Sequence, residues 1–150
     1  MNIKQLLLSC VCLFAIPATN SAEYNITDRQ RAAHKVINSA PQLFLFNPKG
    51  ELIHHSRGFH SGLKKAFKNT EQVENAEQLK NNLLNLTQAP RNFDDYEFTL
   101  FYLGIDEGVG PCPPCRKQER LLEKIKDKMA DKKINYHVVN IIQETYYLDE

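Results

Sequence analysis

The sequence predicts an α/β domain in which helices pack against a mixed sheet, and three observations carry that expectation. Two continuous apolar runs, Gln42-Leu43-Phe44-Leu45-Phe46 and Phe98-Thr99-Leu100-Phe101-Tyr102-Leu103, are short and rich in aromatic and branched residues, as strands buried on both faces are. A turn signal, Asn47-Pro48-Lys49-Gly50, joins the first run to Glu51-Leu52-Ile53-His54-His55-Ser56, so these two form a hairpin. Stretches with apolar residues at helical spacing lie before, between and after the runs. At 150 residues, 42% hydrophobic and 25% charged, the chain fits one domain with a modest core. A formal net charge of +1 gives no electrostatic reason to expect nucleic acid as a partner.

The first 22 residues read as a leader rather than as part of the fold. Lys4 precedes an apolar run over residues 6–18, and the small residues around Ala22 offer a cleavage site. The run is shorter than the roughly 20 residues a membrane span needs, so no stable span is expected. Leu7-Leu8-Ser9-Cys10 resembles a lipoprotein box, but its apolar lead-in is too short and lipidation is not expected. The expectation is a periplasmic or secreted protein whose mature part, residues 23–150, is one domain. Of the four cysteines, Cys10 and Cys12 leave with the leader, and Cys112 and Cys115 stay.

Within the mature chain, Ala32, Ala33, Val36 and Ile37 mark a helix of about three turns over residues 26–38, with Thr27 and Asp28 as good capping residues. Pro41 stops it before the first buried strand. After the hairpin and Gly58, the Leu63 and Phe67 pair makes a short amphipathic helix in residues 62–68. Residues 71–86 carry Val73, Ala76, Leu79, Leu83 and Leu86 on one helical stripe, and residues 87–96 are a loop. The second buried strand is followed by a glycine-rich connector over residues 104–110. A helix with Leu121, Leu122, Ile125 and Met129 on its buried face comes next, and residues 135–142 are the last strand.

The chemistry is concentrated in Cys112-Pro113-Pro114-Cys115, which opens that helix inside strand–helix–strand patterning. The partial positive charge of a helix N-terminus favours a thiolate on the first cysteine, and the spacing lets the second attack a disulfide formed at the first. Zinc would need about four protein ligands, and a bridge over two residues closes almost no loop, so an active dithiol is the expectation. Pro113 and Pro114 lack N–H groups. The Cys112 sulfur is therefore left with the helix dipole, the Cys115 amide and the more distant Arg116 and Lys117, a weaker acidification that points toward reductase or isomerase chemistry. Asp106 and Glu107 on the connector are expected to be solvated rather than to serve as a buried acid. His54, His55 and His60 do not make a metal set, because adjacent strand positions face opposite sides.

In its details the chain resembles the thioredoxin superfamily with the two halves exchanged. Residues 98–142 are similar to that family's dithiol-bearing unit, which ordinarily comes first. The run from Ala32 to Phe46 is similar to its helix, cis-proline and central strand, and Lys49 to Ile53 with Gly58 to its hairpin and following glycine. Val139-Asn140-Ile141 resembles the strand that normally leads into the cis-proline helix, yet the chain stops soon after. The resemblance therefore implies a circular permutation. It implies a thioredoxin-like three-layer fold around a four-stranded sheet in the order Val138, Phe101, Phe44, Ile53, with the Ile53 strand antiparallel at one edge. Residues 23–70 would form the cis-proline half, 71–96 a helical linker and 97–150 the dithiol half. It further implies that Pro41 is cis and lies beside the dithiol, and that Ala40 offers backbone groups to a substrate. The expected function is an exported thiol–disulfide oxidoreductase with Cys112 as nucleophile and Cys115 as resolving thiol, acting on disulfide-containing proteins with a further redox partner and no cofactor. The alternative is a binding or metal-handling module of an envelope or secretion assembly that keeps the fold without turnover.

Overall fold

In a computed structural model that describes residues 21–144, the chain forms a five-stranded mixed sheet with helices on both faces. The strands are β1 (Ser21–Thr27), β2 (Gln42–Phe46), β3 (Leu52–Arg57), β4 (Phe98–Ile105) and β5 (Ile134–Ile142), arranged β1-β5-β4-β2-β3. The helices are α1 (Asp28–Ala33), α2 (Leu63–Ala66), α3 (Ala76–Thr87) and α4 (Pro113–Lys128), with a single 3-10 turn at Phe93–Asp95. β1, β5 and β4 run parallel, and β2 is antiparallel to both β4 and β3. The order Val138, Phe101, Phe44, Ile53 holds for β5, β4, β2 and β3, with β3 antiparallel at its edge.

The expected sheet of four strands is corrected to five. Ser21–Thr27 pairs with β5 from Ser21 opposite Tyr136 to Thr27 opposite Ile142. It forms a strand because its residues alternate: Ala22, Tyr24 and Ile26 turn toward the core while Glu23 and Asn25 stay exposed. β1 therefore begins two residues inside the segment expected as leader. Residues 1–20, with the rest of that leader, Cys10 and Cys12, lie outside the described residues, as do residues 145–150.

The helix expected over residues 26–38 is also shorter. Ile26 belongs to β1, and Thr27 caps α1 in a reciprocal box: its hydroxyl accepts the Gln30 amide at 3.2 Å, and its own amide donates to Gln30 Oε1 at 2.8 Å. Lys35 then takes a left-handed φ of +55° and ends the run. The stripe over residues 71–86 becomes helical only from Ala76, after Asn75 at φ +58°.

The two faces of β2 divide the core. Phe44 and Phe46 join Phe101, Leu103, Val139 and Ile141 under α3, which contributes Leu83, Leu84 and Leu86. Leu43 and Leu45 join Leu100, Tyr102 and Tyr136 under α2 and α4, through Leu63, Ala66, Leu122 and Ile125. The hairpin turns at Gly50 (φ +72°), where the Asn47 side chain accepts the amides of Lys49 and Glu51 at 3.0 Å each. A bulge follows: Leu45 faces His54 but Phe46 faces Leu52, so Ile53 is the extra residue.

Candidate redox site

Cys112 is the N-cap residue of α4, with Pro113 and Pro114 in the first turn, where a proline sacrifices no helical hydrogen bond. Of the first three helical residues only Cys115 carries an N–H. The Cys112 carbonyl accepts the Arg116 amide at 3.2 Å, which closes the turn. Cys112 and Cys115 are joined by a disulfide, their Cα atoms 5.2 Å apart. Both cysteines are buried, Cys112 at 8% exposed and Cys115 at 2%.

Beneath the turn lies Tyr102 of β4, itself buried. Its hydroxyl donates to Glu119 Oε1 at 2.8 Å and sits 3.5 Å from the Cys115 carbonyl, at the outer limit of a hydrogen bond. Burial, reinforced by the bond to Glu119, raises its pKa above the ordinary tyrosine value, so it stays protonated. Gly104 makes room for this ring, since a Cβ there would lie 2.5 Å from the Tyr102 hydroxyl. The sequence reading missed Tyr102, Glu119 and the fully buried Gln118. Their signal was spacing: Gln118 and Glu119 follow Cys115 by three and four positions and share its side of the helix.

Pro41 comes to the same end of the sheet. The Ala40–Pro41 peptide bond is cis. Gln42 pairs with Leu103, so the residue entering β2 stands beside the end of β4 from which the connector leads to Cys112. The Pro41 carbonyl accepts the Gly58 amide at 2.8 Å, and the His60 amide donates to Gln118 Oε1 at 2.8 Å. The loop from Gly58 to His60 thus ties Pro41 to the second turn of α4. Ala40 is half-buried and packs on the core under α3. Phe59 in this loop and Val109 in the connector are each 46% exposed.

Asp106 and Glu107 are exposed. Asp106 accepts the Gly108 amide at 2.8 Å, and Glu107 pairs with Arg116 at 3.5 Å. His54 and His55 face opposite sides, His54 against the His60 ring and His55 stacked on Phe44 with a 3.2 Å contact to Gln42. Both are held down to about 4, chiefly by burial, with His60 adding to the effect at His54 and Arg57 and His54 at His55. Among the described residues no three His, Cys, Asp or Glu side chains are placed to hold a metal, and no helix is long and apolar enough to cross a membrane. No family model, curated protein or solved structure matches the chain.

Proposed function

We propose that this chain is an exported thiol–disulfide oxidoreductase of the thioredoxin superfamily in circularly permuted order, working on protein disulfides in the periplasm or outside the cell. The observation that carries the reading is the position of the Cys112–Cys115 pair. It stands at the start of a sixteen-residue helix, with both cysteines buried and Cys112 the more exposed of the two. The helix dipole stabilises negative charge at that cap, which is what an attacking thiolate needs.

In the reduced protein the Cys112 thiolate attacks one sulfur of a substrate disulfide. A Cys112–substrate bond forms as the substrate S–S bond breaks, and one substrate thiolate leaves. Cys115 loses its proton and attacks the Cys112 sulfur, which releases the second substrate thiolate and closes the Cys112–Cys115 disulfide. Two electrons have then passed to the substrate, and an external dithiol must return them before the next cycle. Pro41 and Ala40 present backbone to the substrate strand beside Cys112, while Pro113 and Pro114 limit the amide bonds to its sulfur. Replacing Cys115 with Ala leaves the first step possible and removes the second. A mixed disulfide should then accumulate at Cys112 with a reduced-and-denatured disulfide protein offered as substrate after partial reoxidation, and mass spectrometry should find it. If no adduct forms while Cys112 still reacts with iodoacetamide, the oxidoreductase reading is wrong.

A further inference from the structure

At the opposite end of the sheet from Cys112, where β4 and β5 begin, polar side chains interrupt the apolar face under α3. Thr99 and Asn135 are cross-strand partners, as are Phe101 and His137. Thr99, Asn135 and His137 are 2%, 6% and 2% exposed. His137 stacks flat on Phe101 at 4.2 Å, and its Nδ1 meets the Tyr24 hydroxyl at 3.0 Å. Its Nε2 and the Thr99 hydroxyl have no hydrogen-bond partner among the described residues, and no side-chain hydrogen bond is made by Asn135. The Thr99 hydroxyl and His137 Nε2 are sealed from the surface without a partner, a cost that the fold bears, whereas the Asn135 amide is not among those sealed atoms and belongs to a residue that lines a pocket.

Asn135 and His137 line a pocket of about 290 Å³ that opens between the start of β1 and the loop ahead of β4. Tyr24, Pro90 and Tyr96 give it flat apolar walls, and Asn92 brings a second amide to its edge. No charged side chain lines it, and Lys133 sits over the Tyr96 ring at 5.3 Å. We propose that this pocket binds a small uncharged ring whose edge carries neighbouring hydrogen-bond donors and acceptors, the chemistry shared by a pyranose sugar and a nucleobase. Aromatic walls stack on the face of such a ring, the Asn135 amide offers a donor and an acceptor to its edge, and Asn92, whose Nδ2 already donates to Asp95 Oδ2 at 3.0 Å, adds its carbonyl oxygen and second N–H. Burial holds His137 down to about 4, so the imidazole is neutral near neutral pH and suits an uncharged guest. The site is independent of the dithiol and adds a second capability to the same domain.

The test is a titration of isotope-labelled protein with N-acetylglucosamine, glucose, adenosine and uridine, followed by NMR at the Asn135 side-chain amide and the His137 ring. A saturable shift at both positions with a sugar or with a nucleoside identifies the source of the ring. Asn135→Leu should weaken that binding by about tenfold or more, and Cys112→Ser should leave it unchanged. Asn92→Ala, at the exposed rim, gives a second variant that does not disturb the buried face. Absence of any saturable shift with all four compounds up to about 10 mM, or binding that survives both asparagine changes, overturns the proposal and leaves the pocket to ordered water.

Discussion

Under the proposed function, Pro113 and Pro114 limit how charge on the Cys112 sulfur can be held. With no N–H at either position, the Cys115 amide is the first that the helix can direct toward it. Pro114→Ala restores one amide in the first turn without removing a residue the helix needs, since alanine is the better helix former. A hydrogen bond to a thiolate favours the reduced protein, so its reduction potential should become less negative by about 30 mV, the equivalent of about 1.4 kcal/mol. Equilibration with glutathione buffers measures it, and an unchanged potential would mean that the prolines do not set the dithiol's poise. The two cysteines and two prolines were legible in the sequence because their chemistry is local, fixed by spacing at a helix start. Tyr102 and Glu119 were not, because a strand hydroxyl meets a helix carboxylate only once α4 has docked on β4.

Among the elements, those defined by strong periodicity were the readable ones. β2, β4, α3 and α4 appear where apolar runs and stripes place them, within the few residues that a cap or a left-handed turn moves. β1 was hidden, although Ala22, Tyr24 and Ile26 alternate with polar residues, because the expectation of a leader ending at Ala22 cuts the pattern and leaves too little to read as a strand. Its C-terminal end matters to the next element, since Thr27 closes β1 and caps α1 at once. Thr27→Ala removes both the hydroxyl acceptor for the Gln30 amide and the template for the reciprocal bond. A six-residue helix has little cooperativity of its own to absorb that loss. The change should lower stability by about 1 kcal/mol, seen as a lower urea midpoint with an unchanged slope. A midpoint equal to that of the parent chain would show that tertiary packing, through Ile26 and Val36, holds α1 without its cap.

For the molecule as a whole, three histidines make folding sensitive to acid. His54, His55 and His137 are each held down to about 4, all chiefly by burial, whereas in the unfolded chain they titrate near the ordinary histidine value of about 6.5. Between those values the unfolded state binds more protons, so stability is complete above about pH 6.5 and falls as pH drops toward 4. His137, the most enclosed, approaches a slope of about 1.4 kcal/mol per pH unit in that window. Denaturation curves from pH 7 to 4.5 should show the fall, and His137→Phe should make it shallower while His54 and His55 maintain the remainder. The proposed permutation predicts something larger about connectivity. Thr27 and Ile142 are register partners at matching ends of parallel strands, and Arg29 already pairs with Glu144 at 3.2 Å. The end of the dithiol half therefore stands beside the start of the cis-proline half. A chain that runs from residue 90 to Glu144 and then directly from Thr27 to residue 89 needs no long linker and restores the ordinary order of halves. It gives up β1, including the buried Ile26, and should lose about 3 kcal/mol of stability. It should nonetheless fold, form the Cys112–Cys115 disulfide and exchange it with a protein disulfide, because the β5-β4-β2-β3 pairings do not involve β1. A soluble, cooperatively folded product that cannot cycle its dithiol would show that β1 belongs to the redox unit, and the permuted reading would fail.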